Sequence, residues 1–130
     1  MNANSPLESL RQIIDQLKNE QTWLSSQPIE ALIGLIGKVA QKWNTDSAYA
    51  FLKDKGLFFL SSWCSTKHLY EIAELGLRGN LNHLKANPRG LVCHWMAGNV
   101  QILGLFALVQ TILTKNVNLL KVSAKDGGVF

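Results

Sequence analysis

The chain has 130 residues, of which 47% are hydrophobic, so it can bury a core and is not an intrinsically disordered protein. Its 13 Lys and Arg outnumber 9 Asp and Glu, for a net charge of +4, but they are scattered along the chain, which argues against a nucleic-acid partner. Two cysteines without a CxxC motif, and an N-terminus too charged for a signal peptide, favour a reduced, cytoplasmic setting.

Residues 1–87 are predicted to be a mainly helical N-terminal segment. Ser5, Pro6 and Glu8 have the spacing of a capping box with proline in the first turn, and apolar residues follow at helical spacing. The stretch LFFLSSWC, residues 57–64, is apolar without a clear period, so strand and helix both stay open there. The predicted helices are a first from Ser5, a second from Pro28 to Asn44, a short third from Thr45 or Asp46 that is ended by Gly56, and a fourth from Lys67 to Arg78.

Residues 88–130 have a different pattern, and the turn residues at 87–90 mark the change. GLVCHW and VNLLKVS are short apolar runs typical of strands, and the nearly uncharged stretch 100–114 between them is typical of a buried helix. That stretch carries Gln and Thr and is shorter than the about 20 residues that cross a bilayer, so no membrane span is predicted. Strand, helix, strand predicts a βαβ unit with parallel strands.

The overall expectation is an α/β protein whose sheet is incomplete. Two strands make a poor sheet alone, and apolar strands of this kind are normally covered on both faces. We therefore expect this chain to be the front part of a larger protein, or to need a partner that completes the sheet.

The loop after the first strand is the first candidate site. Open parallel sheets bind ligands at the carboxyl ends of their strands, and Ala97 and Gly98 are small enough to let a ligand approach the backbone. Asn99 has two interpretations at this point: a cap of the following helix, or a side-chain amide that donates to a developing oxyanion.

The end of the second strand is the second candidate site. Lys121 interrupts an apolar run where its ammonium would meet the same sheet edge as Asn99. It either returns the strand to solvent with its stem packed, or supplies a cation for nucleotide hydroxyls or phosphate, with Ser123 and Lys125 alongside.

The cysteines and histidines are weaker candidates. Cys93 and His94 are neighbours on a strand, so their side chains point to opposite faces and cannot share a proton. Cys93 is therefore expected to be a small core residue. Cys64 and His68 have a C-x3-H spacing, but two ligands do not make a zinc site, so no metal is expected.

Residues 88–127, PRGLVCHWMAGNVQILGLFALVQTILTKNVNLLKVSAKDG, resemble the LuxC family of long-chain acyl-CoA reductases, within the aldehyde dehydrogenase superfamily. The resemblance is carried by HW-x-AGNV, the apolar helix and a T-x-N-x-N-x-x-K-V strand. It implies a Rossmann-like cofactor domain, of which this chain holds the first βαβ unit, and NADPH-dependent reduction of a fatty acyl thioester to an aldehyde.

The resemblance also implies roles for particular residues. Asn99 matches the asparagine that stabilises the oxyanion, and Lys121 matches a lysine at the adenosine ribose. Ala124 stands where many NAD-preferring relatives have a glutamate, which favours NADPH here. The family's catalytic cysteine lies downstream of the region that this chain contains, so neither Cys64 nor Cys93 is expected to be the nucleophile.

The expected partners are a fatty acyl-CoA or another acyl donor, together with acyl-transferring or acyl-activating proteins, and the complete enzyme is expected to be an oligomer. The alternative is that the 130-residue chain is catalytically silent and acts only as a binding or assembly module.

Overall fold

The computed structural model describes residues 5–76, 83–84, 87–96 and 102–124. Over these residues the fold is mostly helical, with one small parallel sheet. The helices are α1 (Pro6–Ser26), α2 (Ile29–Thr45), a 3₁₀ helix (Ser47–Lys55), α3 (Leu57–Trp63), α4 (Thr66–Gly76) and α5 (Leu103–Leu113), and the strands are β1 (Leu91–Trp95) and β2 (Val117–Lys121).

The predicted starts of the first and third helices are confirmed by capping contacts. The Ser5 hydroxyl accepts from the Glu8 amide and the Glu8 carboxylate accepts from the Ser5 amide, at 3.2 and 2.8 Å, so both halves of the capping box are present. Asp46 caps the third helix by accepting from the Ala48 amide. This helix is of the 3₁₀ type and ends at Gly56, whose φ of 92° is readily adopted only by a residue without a Cβ.

The undecided stretch 57–64 is the helix α3. Gly56 is followed directly by Leu57, and the helix buries Leu57, Leu60 and Ser61 against α2. Phe58 and Phe59 point away from this contact and are exposed. The apolar residues therefore cover both sides of a short helix, which explains why the stretch has no clear period.

The core joins the N-terminal helices to α5. Residues from α2, the 3₁₀ helix, α3, α4 and α5 contribute side chains that contact one another. Its fully buried members include Ile33, Leu60, Cys64 and Leu69, and α5 contributes Val109 and Leu113. Among the described residues, no helix is both long and apolar enough to cross a membrane.

The two strands pair in parallel, as predicted for a strand, helix, strand unit. The register places Leu91 beside Val117 and Trp95 beside Lys121, so both strands end at the same edge of the sheet. Helix α5 contacts both strands, and α1 contacts them as well. The two strands are less buried than their apolar sequences suggest. Several of their side chains are only half-buried, and Trp95 is 82% exposed.

Helix α1 is attached to the sheet mainly by one polar side chain. The Gln21 side chain donates to the Lys115 carbonyl at 2.7 Å and accepts from the Val117 amide at 3.1 Å. Leu7 and Leu10, on the predicted inward stripe, are 59% and 41% exposed, and no residue of α1 is fully buried. The apolar stripe of α1 therefore lacks most of the cover that its spacing predicts within the described part of the chain.

Candidate functional site

The candidate site is the edge of the sheet where β1 and β2 end. Past Trp95, the Met96 amide donates to the Lys121 carbonyl at 3.0 Å, so the chain leaves β1 directly beside the end of β2. Parallel strands place their carboxyl ends together, which is where open sheets bind ligands. The chain therefore leaves β1 at Met96, next to Lys121.

Several residues predicted for this site lie outside the described residues, among them Ala97, Gly98 and Asn99. Lys125 lies outside them as well. Their roles stay predictions. Lys121 is described and exposed, Ser123 is half-buried, and Ala124 is exposed in a turn.

Lys121 is held against an aromatic ring. Its ammonium Nζ lies 5.1 Å from the centroid of the Trp95 indole, within the distance of a cation–π contact. The ammonium therefore sits at the sheet edge, as expected for Lys121 on either of its interpretations. The part played by Trp95 could not be read from periodicity, because it depends on the register of the two strands.

A groove of about 390 Å³ opens beside this pair. We call it the carboxyl-edge groove. Among the described residues that line it there is one ammonium, that of Lys121, and no carboxylate, so the groove favours an anion over a cation. The lining residues are Leu10, Cys93, His94, Trp95, Leu119, Leu120 and Lys121.

The other face of the sheet holds a polar cluster of His94, Thr111 and Asn118. His94 Nε2 lies 2.8 Å from Asn118 Oδ1 and 3.3 Å from Thr111 Oγ1. The Asn118 amide nitrogen donates to the Asn116 carbonyl at 2.8 Å, which fixes the side chain with Oδ1 toward the histidine. Because Oδ1 can only accept, Nε2 carries a proton and donates it to Asn118.

This geometry decides between the roles considered for Cys93 and His94. His94 uses its Nε2 proton to link β1 to β2 and contacts α5 through Thr111, so it is a structural residue. The expectation that Cys93 is a core residue is wrong, because its side chain is exposed. Strand alternation turns it toward the face that α5 does not cover, and α1 covers that face only in part.

Asn116 anchors the start of β1. Its Oδ1 accepts from the backbone amides of Arg89 and Gly90 at 2.7 and 3.0 Å, while its Nδ2 donates to Thr114. Asn116 is buried and lies directly before β2. It therefore ties the beginnings of the two strands together, as His94 and Asn118 tie their middles.

The remaining cysteine is chemically quiet. Cys64 is fully buried in the helical core, and this burial raises the pKa of its thiol from 9.0 to about 11. His68, four residues later, faces Glu71 at 3.5 Å and stacks edge-on with Trp63. Among the described residues no three His, Cys, Asp or Glu side chains come close enough together to hold a metal ion.

Residues 24–130 match the family model described as acyl-CoA reductase (LuxC). The match covers most of the chain, which therefore belongs to the LuxC acyl-CoA reductase family. No solved structure gives a significant match.

Curated relatives agree with this assignment. The chain is 25% identical over 126 residues to a long-chain acyl-protein thioester reductase of Aliivibrio fischeri, in a match that covers 75% of this chain and 26% of that protein. It is 28% identical over 125 residues to the protein of the same name from Photobacterium phosphoreum, with the same coverages. A third, from Photorhabdus laumondii, is 36% identical over 73 residues, or 48% of this chain and 15% of that protein. The chain thus spans about a quarter of the length of the first and second of these relatives.

Proposed function

We propose that the complete gene product is an NADPH-dependent reductase that converts a long-chain fatty acyl thioester to an aldehyde. The observation that carries this proposal is the family match over residues 24–130. It is supported by the names of the relatives, which are long-chain acyl-protein thioester reductases. The acyl donor is either a fatty acyl-CoA or an acyl group carried on a protein.

The cofactor assignment is supported by the chemistry of the sheet edge. The Lys121 ammonium is exposed where the parallel strands end, and Ala124 places a methyl group rather than a carboxylate three residues later. A 2'-phosphate meets no repulsion from these side chains, and Ser123 and Lys125 add a hydroxyl and a second ammonium in the sequence. The residues present fit NADPH, and the βαβ unit is proposed as the start of a Rossmann-like, aldehyde-dehydrogenase-type domain.

In this mechanism, the chain contributes orientation and charge stabilisation. Asn99 donates its side-chain N–H to the carbonyl oxygen of the acyl group as negative charge develops there. Lys121 binds the ribose or its phosphate and fixes the cofactor at the sheet edge. NADPH, when bound, supplies the hydride. The thiolate that takes up the acyl group is proposed to come from a cysteine outside residues 1–130, where the family resemblance places it. Burial makes the Cys64 thiol hard to ionise, and Cys93 is exposed but its neighbour His94 is bonded to Asn118 and lies on the opposite face of the strand.

The test is a reductase assay with the complete gene product. NADPH oxidation and aldehyde formation are measured with an acyl-CoA and, separately, with an acyl group carried on a protein as a thioester. We expect turnover with at least one donor, a preference for NADPH over NADH, and unchanged turnover in Cys93→Ser. Equal turnover with NADH would contradict the cofactor proposal, and loss of turnover in a normally folded Cys93→Ser variant would contradict the proposed source of the nucleophile. Absence of turnover with both donors would favour a catalytically silent binding or assembly module.

A further inference from the structure

Trp95 is exposed at the end of β1 in the part of the chain that the structure describes. It is a large aromatic residue at the last position of β1, and it is 82% exposed. Its register partner on β2 is Lys121, whose ammonium lies 5.1 Å from the indole centroid. Residues paired in register on neighbouring strands share one face of the sheet, so the ring and the ammonium are presented together.

The carboxyl-edge groove beside them has the size of a small-molecule site. Its volume of about 390 Å³ falls within the range of roughly 300–1,000 Å³ that is usual for ligand pockets. Apart from Trp95, Lys121 and His94, its lining is Leu10, Cys93, Leu119 and Leu120, which are apolar or weakly polar. A flat aromatic surface, one ammonium and no carboxylate among the described lining residues are complementary to a neutral flat ring that is attached to an anionic group.

We propose that Trp95 is a further binding residue, whose indole stacks on the purine of a phosphorylated adenine nucleotide while the neighbouring Lys121 ammonium meets its ribose or phosphate. The inference rests on the proposed function, because it assigns the adenine end of the cofactor to this groove. The high exposure of Trp95 means that Lys121 covers little of the indole, so ring surface remains for a base. Stacking on an aromatic side chain is possible for any base. It is strong enough that truncating the side chain measurably weakens binding.

The test uses the complete gene product and 2',5'-ADP, a nucleotide that carries the adenine end of NADPH and cannot transfer hydride. Binding is measured by isothermal titration calorimetry for the wild type, Trp95→Leu and Trp95→Phe. We expect Trp95→Leu to weaken binding at least about fivefold and Trp95→Phe to retain most of the affinity, because phenylalanine keeps an aromatic face. Trp23→Leu is the matched control, since Trp23 is another exposed tryptophan and does not line the groove; it should bind as the wild type does.

A double-mutant cycle tests whether Trp95 and Lys121 bind the ligand together or independently. If Trp95 and Lys121 act on one ligand as a pair, Trp95→Leu should cost less in a Lys121→Met background than in the wild type. Wild-type binding in Trp95→Leu, with binding lost in Lys121→Met, would overturn the role of Trp95 and leave the proposed function intact. Failure of the wild type to bind either 2',5'-ADP or NADPH would overturn both. Circular dichroism and thermal melts check that each variant folds, and Trp95→Phe guards against a packing effect of the leucine.

Discussion

His94 Nε2 donates to Asn118 Oδ1 across 2.8 Å, linking the middle of β1 to the strand that follows it in the chain. Thr111 on α5 also donates to Asn118 Oδ1, so one amide oxygen joins both strands and the helix between them. The cluster is half-buried. A polar group there that loses its protein partner does not fully regain a hydrogen bond to water. We infer that it fixes the βαβ unit at the point from which the chain continues to the candidate site.

Replacing Asn118 by leucine should lower the free energy of unfolding by about 1–3 kcal/mol, because His94 and Thr111 lose a shared acceptor. Cys93→Ser, on the neighbouring strand β1, is the control, and because Cys93 is exposed it should change stability by less than about 0.5 kcal/mol. Urea denaturation measures both. The double variant His94→Leu/Asn118→Leu should cost less than the sum of its single changes, and strict additivity would show that the two residues do not act together.

Gln21→Ala should loosen α1 from the sheet. The side chain makes two hydrogen bonds to the backbone around the start of β2, and alanine leaves the Lys115 carbonyl and the Val117 amide without these partners. We expect a loss of about 1–3 kcal/mol and faster hydrogen exchange at the Val117 amide. Gln16→Ala removes an exposed glutamine from the same helix and is the control. Equal exchange at Val117 in both variants would show that Gln21 does not hold α1 in place.

The stability of the chain should fall between about pH 9 and pH 11 because of Cys64. Burial raises the pKa of its thiol from 9.0 to about 11, so the unfolded chain releases this proton at lower pH than the folded chain. Above the pKa of the thiol in the unfolded chain, ionisation of Cys64 therefore favours unfolding, by at most about 3 kcal/mol. The stability that the protonated Cys64 thiol provides is fully present below pH 9 and is lost as the pH rises toward 11.

Comparison of two cysteine variants isolates the contribution of Cys64 from every other pH-dependent contribution to stability. Cys93→Ala should keep the pH dependence of the wild type, whereas Cys64→Ala should be less stable at pH 8 but lose less stability up to pH 11. Thiol labelling at pH 8 should modify Cys93 in the folded chain and Cys64 only on unfolding. If stability falls with pH equally in both alanine variants, burial does not raise the pKa of the Cys64 thiol.

The parts of the fold set by local chemistry could be predicted from the sequence. The capping box at Ser5 and Glu8, the end of the 3₁₀ helix at Gly56 and the strand, helix, strand order of the C-terminal part all appear in the structure. Each depends on side chains within a few positions of one another, or on the period of apolar residues. Boundaries agree within a few residues for the helices and strands whose ends are described.

The parts that depend on distant partners could not be predicted. Cys93 was expected in the core because its strand is apolar, and it is exposed because α1 covers that face only in part. The link from His94 to Asn118, two residues 24 positions apart in the chain, requires the register of β1 and β2. Pairing Trp95 with Lys121 requires the same register, so the sequence singled out the lysine and missed the tryptophan.

Asn99 is the residue on which the functional account depends most, and single-turnover kinetics of an Asn99→Ala variant of the complete gene product test it most directly. If Asn99 donates to the oxyanion, the rate of acyl reduction should fall by roughly 100- to 1,000-fold while the Kd for NADPH stays within about twofold and the thermal melt is unchanged. If Asn99 has only a local structural role, the variant should melt at a lower temperature and reduce the acyl donor at nearly the wild-type rate, and that result would contradict the proposed oxyanion role.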